Sequence, residues 1–254
     1  MANNLKSFKF TNKADTAISV TGWEVLEGVV INALAGNDII KGTGIFNYGR
    51  IKTGDGKDTI TGTGDFYGIG NDGTINTGAG NDRITGTGGT GIYNDDGTIN
   101  TGDGNDIIKG TSSTGSGISN YGTINTGDGN DRITGTGGTG SGIYNDDDGT
   151  INTGDGNDIV DALEGGFDGD GTTYLDAGND TLKGFGTGNF YGGAGTDKLF
   201  FGEGTYVISG STVVFNGATM NVNQFEKIGG ANGGLFTFQD GTLTVSSTGV
   251  GTFA

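Results

Sequence analysis

Single large aliphatic residues, each flanked by polar ones, recur through most of this chain. In T-I-N (Thr74, Ile75, Asn76) and R-I-T (Arg83, Ile84, Thr85) the polarity alternates with a period of two. That period places the isoleucine on one face of a strand and its neighbours on the other. The aliphatic positions themselves fall into columns. Ile31 and Ile40, Ile51 and Ile60, Ile75 and Ile84, Ile99 and Ile108, Ile124 and Ile133, and Ile151 and Val160 are each nine residues apart. A third column comprises Ile45, Ile69, Ile92, Ile118 and Ile143, and two residues after each stands an asparagine: Asn47, Asn71, Asn94, Asn120 and Asn145. One repeat therefore reads as three short strands, centred in one instance on Ile75, Ile84 and Ile92, with isoleucine turned inward.

The segment I-N-T-G-D-G-N-D occurs three times unchanged, from Ile99, Ile124 and Ile151. Variants start at Ile31, Ile51 and Ile75, and looser copies end at Asp180 and Asp197. Successive loop aspartates (Asp38, Asp58, Asp82, Asp106, Asp131, Asp158, Asp180 and Asp197) are 20, 24, 24, 25, 27, 22 and 17 residues apart. Such periods belong to stacked repeats. The expected fold is all-β, a right-handed parallel β-solenoid of β-roll or β-helix type with about eight coils of 17–27 residues. At about 4.8 Å per coil the rod would be roughly 35 Å long. The nine-residue segment that carries the aspartate keeps its length, as a ligand shared between coils would require. The loops elsewhere vary, as surface decoration does. The stacked asparagines predict an amide ladder along the rod.

Composition sharpens this picture. Of 254 residues 58 are glycine, none is proline and 31% are hydrophobic, too few for a conventional core. A thin column of Ile, Val and Leu reconciles that scarcity with order. Net charge is −17, which disfavours nucleic acid and favours cations. The chain has no cysteine and no histidine, so thiolate and imidazole metal ligands and the usual general base are missing. Oxygen donors remain, and those suit calcium. No window of 18 apolar residues suggests a membrane span.

Glycine at alternate loop positions lets carbonyl oxygens converge, and the aspartate adds a charged oxygen. One loop cannot supply the six to eight oxygens that calcium takes, whereas two stacked loops can. The loops also resemble the repeats-in-toxin (RTX) family, whose calcium-binding repeat is G-G-x-G-x-D followed by a large apolar residue. The nearest copy is G-G-A-G-T-D-K-L, Gly192 to Leu199, and the resemblance extends from about Ile31 to Leu199. Most copies carry threonine for the first glycine, and the earliest has Ala33 and Leu34 in place of the glycine pair. The resemblance implies calcium ions held between adjacent coils by Asp38, Asp58, Asp82, Asp106, Asp131, Asp158, Asp180 and Asp197. Loop geometry and carbonyls would come from Gly54, Gly56, Gly78, Gly80, Gly102, Gly104, Gly127, Gly129, Gly154, Gly156, Gly193 and Gly195. Like carboxylates one coil apart repel unless neutralised. Divalent ions in seven gaps would supply fourteen charges against the formal −17. Asp168 with Asp170, the pair Asp95–Asp96 and the run from Asp146 to Asp148 read instead as solvated turns.

Strand-like, aromatic segments flank the repeats, so residues 1–30 and 200–254 are expected to cap a solenoid of residues 31–199. The C-terminal segment is similar to those that follow RTX arrays, which implies secretion by a one-step exporter without a cleaved N-terminal signal. The expected role is non-enzymatic: a secreted, calcium-stabilised structural or cell-surface protein of a layer, sheath, filament or adhesin, with self-assembly or a surface glycan as candidate partner. A polysaccharide-modifying β-helix enzyme is one alternative. An ice-binding protein is another, using threonine columns at Thr43, Thr63, Thr87, Thr111 and Thr136 and at Thr74, Thr98, Thr123 and Thr150.

Overall fold

Each isoleucine-centred tripeptide becomes a strand, and copies of it pair in parallel from coil to coil. The computed structural model describes residues 3–254 and is a parallel β-solenoid with three long sheets. One coil runs through Thr74–Ala79 on a loop-entry face, Arg83–Gly88 on a loop-exit face and Thr90–Asn94 on an asparagine face. The register is the one the columns demand. Ile75 pairs with Ile51 and Ile99, Ile84 with Ile60 and Ile108, and Ile92 with Ile69 and Ile118. From Ile40 to Val160 the isoleucines and valine of these columns are buried and form one continuous core. At about 1.5–3 kcal/mol per buried side chain, three per coil are a large share of the apolar stabilisation available to so thin a rod.

The asparagine column forms the expected ladder. The side-chain Nδ2 of Asn47 donates to Oδ1 of Asn71 at 2.7 Å, Asn71 to Asn94 at 2.7 Å, Asn94 to Asn120 at 2.7 Å and Asn120 to Asn145 at 2.8 Å. The second amide hydrogen reaches loop carbonyls, as Asn94 reaches Gly97 at 3.0 Å. The ladder holds the bend between the asparagine and loop-entry faces at one spacing. Asn94→Ala would leave the buried Oδ1 of Asn120 without its donor. The expected cost is about 1–3 kcal/mol, read as a lower urea midpoint at unchanged slope. An unshifted midpoint would show that water replaces the rung.

The winding extends past the repeats on both sides. Thr16–Ser19 pairs with Ile39–Gly42, and Trp23–Val25 with Ile45–Asn47. Ala17 and Trp23 thus occupy column positions, with the indole Nε1 donating to the Lys41 carbonyl at 2.9 Å. At the other end the pairing changes sign. Gly204–Ser209, Thr212–Phe215 and Ala218–Asn223 form an antiparallel meander. The turn between the last two is Asn216-Gly217, both at positive φ, the usual chemistry of a two-residue hairpin. Ala218–Asn223 then stacks in parallel on Asn189–Tyr191, and Lys227–Gly230 on Lys198–Phe201. Phe185, Phe201, Tyr206 and Phe215 pack ring against ring beneath the meander. Among the described residues no helix is long and apolar enough to cross a membrane.

Candidate functional site: a buried carboxylate column

The T-G-D-G-N-D loop turns the chain from the loop-entry face to the loop-exit face, and stacking dictates its glycines. Gly54, Gly78, Gly102, Gly127 and Gly154 have φ of 84° to 103°, and Gly56, Gly80, Gly104, Gly129 and Gly156 have φ of 139° to 151°. Gly193 and Gly195 follow suit at 99° and 147°. A Cβ on Gly104 would lie 1.7 Å from the carbonyl oxygen of Gly80, and one on Gly129 1.8 Å from that of Gly104. Each loop carbonyl therefore points along the rod at the glycine of the next coil. Among the described residues no N–H donates to the carbonyls of Gly102, Gly104, Gly127, Gly129 or Gly156. Leu34 and Asp176 hold the first of these loop positions at φ of 78° and 61°. Left-handed backbone costs a side-chain-bearing residue about 1–2 kcal/mol, so the earliest copy and the copy at Asp176 carry strain that the others avoid.

The threonine at the head of most loops has a role of its own. Thr53, Thr77, Thr101, Thr126 and Thr153 are buried, and each hydroxyl donates to the main-chain carbonyl of the corresponding residue one coil on, at 3.0–3.1 Å. Asn37, Asn81, Asn105, Asn130, Asn157 and Asn179 form a further, exposed ladder in which each Oδ1 accepts a loop N–H from the following coil.

All eight loop aspartates line up in one column. Asp38, Asp58, Asp82, Asp106, Asp131, Asp158, Asp180 and Asp197 are each at most 2% exposed. In each, Oδ1 accepts the backbone N–H of the acidic residue one coil earlier. Asp58 accepts from Asp38, and so on to Asp197, which accepts from Asp180, at 2.7–2.8 Å; Asp38 accepts from Asp15 at 2.7 Å. The other oxygen, Oδ2, is buried in all eight without a hydrogen-bond partner. Burial pushes every one of these carboxyls upward; the N–H bond and, at Asp58, Asp82, Asp106, Asp131 and Asp158, the nearby threonine hydroxyl offset part of that rise. Asp82 and Asp106 reach about 6, and Asp158 and Asp180 about 7.

Two acids outside the glycine motif stand at the same register position. Asp38 precedes Ile39, which pairs with Thr16, and Asp15 precedes Thr16. Asp197 precedes Lys198, which pairs with Lys227, and Glu226 precedes Lys227. The Asp15 carboxylate is turned onto the main-chain N–H and hydroxyl of Thr11. Glu226 accepts the N–H of Asp197 through Oε2 at 2.7 Å, as each aspartate does for its predecessor. A simple signal marks both. The column acid sits two residues before an inward apolar residue, as in Asp82–Ile84, and so do Asp15–Ala17 and Glu226–Ile228.

Asp55, Asp103, Asp128, Asp155 and Asp176, within the loops, add like charge beside the column, whereas other acids beyond the loops lie apart from it. The Asp146 carboxylate accepts the Tyr144 hydroxyl at 2.8 Å, Asp168 accepts from Gly169 and Thr187, and Asp161 pairs with Arg132 at 2.7 Å. Among the described residues no three acidic, histidine or cysteine side chains converge on a common point that would hold a metal. The arrangement is one of single carboxylates spaced one coil apart, each with an unused oxygen, beside loop carbonyls that accept no hydrogen bond. Those donors are all hard oxygen, the set that fits calcium rather than a softer ion. No family model matches the chain, and a search of curated proteins returns no match.

Proposed function

We propose that the protein is a calcium-binding solenoid with a structural or cell-surface role, exported and folding as it meets calcium outside the cell. The observation that carries this reading is the row of eight buried Oδ2 atoms without partners. A buried carboxylate oxygen left unsatisfied costs several kcal/mol unless it is protonated or neutralised. Eight such groups in file repel one another as well, so a divalent ion beside each pair would relieve both penalties. Asp38, Asp58, Asp82, Asp106, Asp131, Asp158, Asp180 and Asp197 would supply the charged oxygens. Gly102, Gly104, Gly127, Gly129 and Gly156 offer unclaimed carbonyls. Bound calcium would supply charge neutralisation and a cross-link between coils.

A passive role is favoured by how the side chains are committed. Inward positions are taken up by isoleucine, asparagine, threonine and aspartate ladders, and the chain has no histidine or cysteine for general-base or nucleophilic work. The threonine columns give little support to ice binding. The column through Thr63 and Thr87 runs along the loop-exit face, and that through Thr74 and Thr98 along the loop-entry face, so they share no plane. Beside the former, the outward column containing Thr61 and Thr85 is broken by Lys41 and Lys109. Export is proposed because calcium is scarce in cytosol and plentiful outside. The binding free energy would then become folding free energy only in the second compartment.

Isothermal titration of the metal-free protein with calcium should show several equivalents bound. Asp106→Asn, in mid-column, should weaken binding more than Asp38→Asn beside the strained first loop. No heat and no change in melting temperature at millimolar calcium would overturn the reading. Equal effects of the two variants would argue against ions shared between coils.

A further inference from the structure

We propose that Glu226 completes one more cation site, between itself and Asp197, so that the C-terminal antiparallel segment is fastened to the array by an ion it helps to hold. The proposal rests on the calcium reading above and extends it beyond the glycine loops.

Three observations carry it. First, strand register puts Glu226 where an aspartate would stand in a further coil. Asn221 and Lys227 pair with Asn189 and Lys198 on either side of the loop, and Glu226 makes the 2.7 Å contact to the Asp197 N–H that defines the column. Second, the gap is left unsatisfied from the array side. Oδ2 of Asp197 is fully buried and unpartnered. Third, among the described residues no cation forms an ion pair with Glu226. The Lys227 ammonium is directed to the Thr237 hydroxyl at 3.4 Å, and among the described residues the one ion pair is Arg132 with Asp161. Burial and then the Glu226 charge raise the Asp197 carboxyl, and the Asp180 N–H and the Lys198 charge offset part of that rise.

The substitution of glutamate for aspartate follows from loop length. Between the paired strands the array uses six residues, Gly192 to Asp197, whereas the C-terminal segment uses three, Gln224 to Glu226. The short loop must still reach over the array. Gln224 accordingly adopts φ of 59°, and its carbonyl oxygen lies 2.1 Å from where a Cβ on Gly192 would be. A shorter loop brings its backbone less far round the turn, and one extra methylene on the acid restores the reach. The site is asymmetric as a result. One side offers the full glycine loop with Gly193 and Gly195, the other a carboxylate and the Gln224 carbonyl.

Glu226 also ties the segment to the array through its main chain. Its N–H and that of Lys227 donate to the Asp197 carbonyl, and its own carbonyl accepts from Phe238. An ion here would therefore clamp residues 218–238 onto the last coil.

The test compares full-length wild type with Glu226→Gln, which keeps the acceptor for the Asp197 N–H but loses the charge. Exposed Glu203→Gln serves as the control for charge alone. Calcium titration calorimetry should show one equivalent fewer for Glu226→Gln and an unchanged number for Glu203→Gln. Limited proteolysis in calcium should then cut Glu226→Gln within residues 202–254 while the array stays intact. Glu226→Asp, which keeps the charge and loses the reach, should recover the missing equivalent only at higher calcium. If wild type binds calcium and Glu226→Gln binds the same number with the same affinity, Glu226 is a hydrogen-bonding cap and this inference fails while the array reading stands. If wild type binds no calcium, both fall together.

Discussion

Metal-free protein should lose most of its β signal at neutral pH and recover it on acidification, whereas the calcium-loaded protein should show the opposite trend. The sign follows from burial. Carboxyls that titrate near 4 in an unfolded chain are raised in the column, to about 6 for Asp82 and Asp106 and about 7 for Asp158 and Asp180. Without metal the folded state holds more protons than the unfolded one. That stabilisation is complete below about pH 4 and is lost as pH rises through 6 to 7. The net charge of −17 adds repulsion in the same direction. With calcium the ligands must be ionised, so protons compete with the ion and stability falls as pH falls. Melting curves from pH 4.5 to 8, followed by far-UV circular dichroism with and without calcium, should therefore cross. A metal-free melting temperature that climbs from pH 5 to 8, or that calcium leaves unmoved at pH 7.5, would refute the carboxylate column as the seat of calcium-coupled folding.

The same column shows what could be read from the residues alone. Its eight central members were legible because the loop motif and the inward isoleucine keep a fixed offset, Asp82 to Ile84 and Asp106 to Ile108. Strand register preserves that offset even where the motif is lost, yet Asp15 and Glu226 lie outside any glycine loop and so carry no motif to mark them. Once the offset rather than the motif is treated as the signal, both come into view. The threonine at the first loop position looked like a departure from G-G-x-G-x-D. Its buried hydroxyl, bonded to the next coil, explains it as a rung that glycine cannot supply. At the C-terminal end alternation identified strands but not partners. Gly204–Ser209 pairs with Gly241–Val245 across more than thirty residues, and a period of two says which face is inward, not which neighbour lies beside it. Trp23 was hidden for a different reason: an indole replaces isoleucine in the column, so the repeat ends in composition before it ends in geometry.

Gly104→Ala should be among the most damaging single changes in the molecule, with a loss of about 4 kcal/mol or more. The new Cβ would fall 1.7 Å from the carbonyl oxygen and 2.5 Å from the carbonyl carbon of Gly80, at a residue with φ of 140°. Real Cβ contacts essentially never come under 3.0 Å. Relief requires the two coils to part or the loop to turn, and neither is free to do so. Ile75–Ile99 and Ile84–Ile108 lock the strands on both sides of the loop, and the Asp82 N–H is held by Asp106 at 2.7 Å. Losses of this size arise from overpacking of this kind rather than from propensity. Gly210→Ala separates the two causes. Gly210 also has positive φ, 56°, but nothing lies within 4 Å of the place its new methyl would take, so only the backbone penalty of about 1–2 kcal/mol applies. Because each coil of a solenoid touches only its neighbours, the Gly104 variant should also fail locally. Hydrogen exchange should accelerate in residues 74–136 while the asparagine ladder near Asn47 and the meander after Gly204 stay protected. Equal melting temperatures for the two alanine variants would show that the loops yield along the rod, and with them the close stacking on which a shared cation site depends.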